Sequence, residues 1–432
     1  MYVTSQFGAF QSAKGHALKR PGAGREREPE TATEERPEEP GAERIARMRF
    51  EINIDYPPEM MELSRRRMEA RADFRYVDRV PVLYCIVPRY FTPLFDLRYI
   101  DFFKDAETQY YWQLQFTKYH IENIPEDFCT GTTIYVHPYF DNVVPPSGQG
   151  GEVGWLDDGP PRAIPVIKSV EQMERFEVAE LDTGLRGRAI EWWHRMKEFA
   201  AQTKVTFNGR EGRVDVGALS LAGLSPHMLA VDLVGEDFYW WMLEYPRQCR
   251  RFLEKITQGE IVSEENARRI DPRPREVHWL AEDSAHIMSP ELFKQFCVPY
   301  SSVLFERFAD GIRLGRAVHM CGDSTHLHKV LKDDLKMDRF DIFGYLVPPE
   351  VAAANLGGTT LLWGNINPML MKDGDYAQVK QAAVECIEAM GPCGGFMLGD
   401  GANVCPGTPL AAFEAIMEAA VEYGLGGGKL PT

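Results

Sequence analysis

The sequence predicts an α/β fold, a single-domain (β/α)8 TIM barrel, and three observations predict it. From Met48 onward, short apolar runs of strand length alternate with longer segments of helical period, as a parallel sheet with crossover helices requires. About eight such units follow one another, the number a closed barrel needs. No Gly-rich phosphate loop and no Walker loop stands at a strand-to-helix turn, so neither a dinucleotide nor an ATP site is expected.

Residues 1–47 stand apart from this pattern. From about residue 11, through Lys19-Arg20-Pro21-Gly22, Arg25-Glu-Arg-Glu-Pro-Glu30 and Glu38-Glu-Pro-Gly41, they hold much Glu, Arg, Pro and Gly and almost no large apolar side chains. Burial there cannot offset the entropy of ordering, so a disordered tail or a start placed upstream of Met48 is expected. The barrel is assigned to residues 48–432.

The strands expected in order are 80–87, 132–136, either 205–208 or 214–219, 277–280, 316–320, 340–343, 360–363 and 395–398, each a short apolar run. Helices are expected at 105–122, 186–202, 236–263, 290–308, 376–390 and 409–423. Ser289-Pro290 caps the start of the helix at 290–308.

Composition excludes several function classes. With 44% hydrophobic, 11% aromatic and 26% charged residues among 432, the chain has material for a large core. Its net charge of −16 opposes nucleic-acid binding, which needs clustered Lys and Arg. No apolar run is long enough for a membrane span and no secretory signal is visible, so a cytoplasmic protein is expected. The eight cysteines lack the density of a disulfide scaffold and read as reduced thiols.

Polar residues gather just after the expected strands, where a barrel keeps its mouth: Tyr139-Phe-Asp-Asn142, Asn208 to Glu211, Glu282-Asp283, His319 to Asp323, Asn365-Ile-Asn367 and Asp400 to Cys405. The most informative stretch is Gly315-Arg-Ala-Val-His-Met-Cys-Gly-Asp323. Residues two apart in a strand face the same way, so His319 and Cys321 place an imidazole beside a thiol, both preferred zinc ligands. The bland alternative is a packed thiol beside a hydrogen-bonded histidine. Zinc needs a further donor. Cys405, after the last strand, is the leading candidate, with a buried thiol beneath the Pro-Gly-Thr-Pro turn as its alternative.

Glu282 and Asp283 carry more acid than a helix cap requires, and either can complete a metal shell, orient the histidine or serve as general acid or base. Strand ends favour Asn and Asp as caps anyway, which explains Asn365 and Asp400 without a functional role. His326 and His328 fall in the following helix and read as surface or capping residues.

These residues together resemble the uroporphyrinogen decarboxylase superfamily, which includes zinc-dependent cobalamin and coenzyme M methyltransferases. The resemblance runs through Pro81-Val82 to Arg89-Tyr90, Gly223-Leu-Ser-Pro226, Glu282 with Ser289-Pro-Glu-Leu-Phe293, Val298-Pro-Tyr300, His319-Met-Cys-Gly322, Trp363-Gly-Asn-Ile-Asn-Pro368 and Pro406-Gly-Thr-Pro-Leu410. It implies a (β/α)8 barrel.

In the decarboxylase branch it implies Arg89 as a carboxylate clamp and Asp141 as the essential aspartate, but the second arginine of that clamp falls at Cys85. In the methyltransferase branch it implies zinc on His319, Cys321 and a later cysteine, which by the Thr408-Pro409 landmark falls at Ala402, three residues before Cys405. That branch also implies a methyl donor or acceptor of small size and a corrinoid carried by a partner protein. Tyr139, Asn208, Asn365 and Asn367 join Arg89 as candidate substrate contacts at the mouth. Two further readings stay open: metal-independent decarboxylation of a polycarboxylate, and a barrel that binds a corrinoid protein without catalysis.

Overall fold

Each short apolar run buries one or both faces in a barrel wall, and each amphipathic helix covers it from outside. In a computed structural model, which describes residues 50–424, the strands in chain order are β1 (Glu51–Ile54), β2 (Thr133–Val136), β3 (Glu152–Gly154), β4 (Arg162–Ile164), β5 (Lys204–Phe207), β6 (Arg210–Val216), β7 (His278–Ala281), β8 (Arg316–His319), β9 (Arg339–Asp341), β10 (Leu361–Ile366) and β11 (Phe396–Asp400). The expected tail, 1–47, lies outside the described residues.

The chain forms a TIM barrel. Its C-terminal wall is a five-stranded parallel sheet in the order β11-β10-β9-β8-β7. Residues 80–84 run beside β11 through a parallel bridge from Val82 to Leu398, and β2 pairs in parallel with β6. The second seam is closed by residues 223–225, which bond Ala281 of β7 through the Gly223 oxygen and the Ser225 nitrogen, both at 2.9 Å.

Between 80–84 and β2 no ladder forms, and side chains take its place. Asp127 Oδ2 accepts the Val82 N–H and Glu126 Oε2 the Tyr84 N–H, each at 2.8 Å. Asp127 is 1% exposed and is held by Arg67, Arg79 and Ser64. Two guanidiniums keep its carboxyl below the ordinary range against the opposing effect of burial.

The sequence left 205–208 and 214–219 as alternatives for the third strand, and both segments form strands. Asn208 and Gly209, with φ of 47° and 78°, turn β5 back along β6 as an antiparallel hairpin, the geometry Asn-Gly favours. The barrel strand is the later half of β6, and β5 also pairs with β1 outside the barrel.

Prolines divide two of the expected helices. The run 236–263 becomes Asp237–Glu244 and Pro246–Ile270, and 290–308 becomes Pro290–Phe296 and Val298–Phe308. No helix among the described residues is long and apolar enough to cross a membrane.

Candidate functional site

The C-terminal ends of β7, β8 and β9 bring three donor types together. Asp283, His319 and Cys321 present ligand atoms all within 4.8 Å of one another. Cys321 Sγ lies 2.9 Å from His319 Nε2, and that nitrogen lies 3.5 Å from Asp283 Oδ1. Asp283 Oδ1 also accepts the Cys321 N–H at 2.7 Å, so the strand end that carries the thiol is fixed by the carboxylate it faces.

His319 has its orientation set from behind. Its Nδ1 lies 2.9 Å from the Asp341 carbonyl oxygen, which only accepts, so Nδ1 carries the proton and Nε2 turns its lone pair toward Asp283 and Cys321. Trp279, on β7, lies nearly parallel to the imidazole with ring centroids 5.6 Å apart. The following loop passes close by: Gly344 has φ of 83°, and a Cβ there would fall 2.5 Å from the Gly322 oxygen.

This donor set fits a zinc ion. An Nε2 lone pair and a carboxylate oxygen facing each other need a cation or proton between them, and one imidazole, one thiol and one carboxylate are zinc-type donors. Without a cation, burial and the Asp283 charge push the Cys321 thiol well above its ordinary range. The charge of an ion held there would act in the opposite direction and favour the thiolate.

Glu282 and Asp283, adjacent in sequence, part at the end of β7. Asp283 begins a 3-10 turn toward the mouth, whereas Glu282 is 3% exposed and points behind the wall, where Oε1 meets His227 Nδ1 at 2.9 Å. Cys405 is not in the Asp283 group; its sulfur lies 3.7 Å from Met369 Sδ on the rim.

Across the mouth sits a second cluster. Asp141, at φ 50°, accepts hydrogen bonds from Tyr139 at 2.6 Å and Tyr99 at 2.8 Å. Burial raises the Asp141 carboxyl, with the two hydroxyls and the Arg89 charge opposing. Arg89 belongs to the same field, and its buried Nε has no protein partner. Helix Ala106–Asn123 positions this side, since the Gln113 and Gln109 side-chain amides each make two backbone hydrogen bonds, to His137 and Tyr139 respectively.

Other expected contacts are placed differently. Asn365 is buried and spends its amide on the Gly344 and Val347 carbonyls, holding the rim loop. Asn367 caps helix Pro368–Asp373 by accepting the Met369 N–H. Asn208 is the correction: its turn precedes the barrel half of β6, so it lies at the far end from the mouth and accepts the Tyr56 N–H.

Over residues 135–423, well over half of its length, the sequence matches the family described as uroporphyrinogen decarboxylase (URO-D). The chain belongs to the uroporphyrinogen decarboxylase family. A solved methyltransferase from Methanosarcina mazei superposes on it with a TM-score of 0.59 at 19% identity, covering 84% of this chain and 98% of that one. At that identity the likeness carries the barrel fold.

This URO-D family barrel has mouth residues that the sequence reading passed over. Trp279 was legible from strand period, being two residues before Ala281 and level with His319's neighbour Ala317 in the β7–β8 register. Cys85, read only as a lost arginine, hydrogen-bonds Asn403 at 3.1 Å, and its thiol is among the groups that influence both Cys321 and Tyr139. Tyr99 carried no local signal, because 42 residues separate it from Asp141.

Proposed function

We propose that this URO-D family barrel is a zinc-dependent methyltransferase that moves a methyl group between a corrinoid-carrying protein and a thiol or methoxylated small molecule. The observation that carries this reading is the Asp283, His319 and Cys321 group, with His319 oriented by the Asp341 carbonyl. Asp283 takes the place for which Cys405 was the first candidate. Zinc held there would supply Lewis-acid binding, which favours the thiolate form of an acceptor thiol near neutral pH.

The chain's own residues do the rest. Trp279 and the Asp341 carbonyl hold the imidazole still, and Asp283 holds the backbone of Cys321. Arg89, Tyr139, Tyr99 and Asp141 form the facing wall, where Arg89 suits an anionic group on the small molecule and Asp141 orients hydroxyls. Large apolar side chains stay exposed on loops that follow several strands: Leu94, Trp155, Leu156, Ile287, Leu346 and Met369. Such a rim favours a protein partner laid over the mouth, consistent with delivery of the corrinoid from outside.

One observation favours a second reading, decarboxylation of a polycarboxylate. Asp141 sits between two phenols near Arg89, an arrangement that suits stabilising a protonated intermediate. Metal analysis with activity assays separates the two. Cys321→Ser should lose one zinc equivalent relative to the parent protein together with methyl transfer from a methylated corrinoid. Unchanged metal content with consumption of a porphyrinogen would establish the decarboxylase instead, and corrinoid-protein binding without turnover would leave a non-catalytic partner.

A further inference from the structure

Behind the wall, Glu282 meets two side chains that no sequence motif linked to it. His227 comes from the first turn of helix Pro226–Val234, and Cys297 from the break between helices Pro290–Phe296 and Val298–Phe308. Ligand atoms of His227, Glu282 and Cys297 all lie within 4.8 Å of one another, and the residues are 0%, 3% and 1% exposed. The Cys297 sulfur also lies 3.9 Å from Met288 Sδ, a weak partner that leaves it available to a metal ion. The hydrogen bond from His227 Nδ1 to Glu282 Oε1 leaves His227 Nε2 and Glu282 Oε2 buried with no protein partner.

A carboxylate buried so deeply is costly, and no Lys or Arg among the described residues forms an ion pair with it. We propose that His227, Glu282 and Cys297 form a second, structural zinc site, back to back with the mouth group through the adjacent pair Glu282-Asp283. One carboxylate and one thiolate balance a divalent ion, so the filled site is neutral, as full burial demands.

The location supplies a purpose. Among the described residues β7 lacks a strand ladder on the side toward β6 and is joined there through residues 223–225. A metal gripping helix 226–234, the end of β7 and the break at Cys297 ties that seam from outside. This inference stands apart from the methyl-transfer reading, because it concerns ions the mouth does not hold.

The test is metal quantification and Co(II) spectroscopy on the full chain. Cys321→Ser protein should retain about one equivalent of zinc, and that equivalent should disappear in the Cys321→Ser/Cys297→Ser and Cys321→Ser/His227→Gln pairs, with a lowered melting temperature. Co(II)-loaded Cys321→Ser should show a thiolate-to-cobalt charge-transfer band that the added Cys297→Ser removes. Metal-free Cys321→Ser protein overturns the proposal, as does metal content indifferent to His227→Gln. If the double variants fail to fold, the cobalt spectrum of Cys321→Ser alone decides, since absence of a thiolate band excludes Cys297 as a ligand.

Discussion

Between β7 and β11 five parallel strands bond in one unbroken sheet, whereas residues 80–84 meet one neighbour through a single bridge and the other through the side chains of Glu126 and Asp127 with one backbone bond, from the Asp127 N–H to the Val82 oxygen at 2.7 Å. The metal-type donors sit on the laddered half. The Arg89, Tyr139 and Asp141 wall sits on the other, where Gln109 and Gln113 hold the backbone beyond the end of the β2–β6 ladder. Backbone ladders fix donor atoms within a narrow tolerance, as metal binding needs. Side-chain tethers allow a wall to be re-cut for a different small molecule without disturbing the donors.

The largest effect expected from breaking this contrast is at the seam beside residues 80–84. Asp127→Ala leaves buried Arg79 without its carboxylate, leaves Arg67 with Asp78 alone and frees the Val82 N–H, so urea unfolding should show a loss of about 3–5 kcal/mol. On the laddered half Asp283→Ala should leave stability nearly unchanged but reduce zinc content at the mouth by one equivalent. Asp141→Asn should do the reverse of Asp283→Ala, keeping zinc while abolishing turnover, with substrate affinity followed by calorimetry. Equal zinc loss in both variants would erase the division of labour between the two walls.

Smaller effects sharpen it. Asn365→Ala removes both bonds that hold the loop after β9 and should cost roughly 1–3 kcal/mol. Asn367→Ala removes a cap and should cost about 1 kcal/mol. Neither should alter zinc content.

Two buried carboxyls set a pH dependence that belongs to the scaffold. Burial pushes Asp400, at the end of β11, and Glu260, in helix Pro246–Ile270, each up to about 8. Unfolded carboxyls titrate near ~4, so between about pH 4 and 8 the folded chain binds more protons and stability falls as pH rises. Melting temperatures should decline across that window. Asp400→Asn and Glu260→Gln should each flatten the decline, because an amide has no proton to lose.

How much was legible divides along the same physical line. Local rules carried the barrel alternation and the meeting of His319 with Cys321, because strand period and turn chemistry act over a few residues. The Asn208-Gly209 turn was also written locally, yet its placement at the far end of the barrel depended on which flanking run entered the wall. Adjacent Glu282 and Asp283 looked equivalent because a strand breaking into a 3-10 turn has no fixed alternation.

By itself the sequence determined the succession of strands and helices, the family, and one imidazole–thiol pair at a strand end. Only the tertiary structure decided that Asp283 rather than Cys405 stands with that pair, that Glu282 turns outward to His227 and Cys297, and that Asp127 substitutes for a missing ladder. Each of those depends on groups dozens of residues apart, brought together by closing the barrel, and no local periodicity encodes such a meeting.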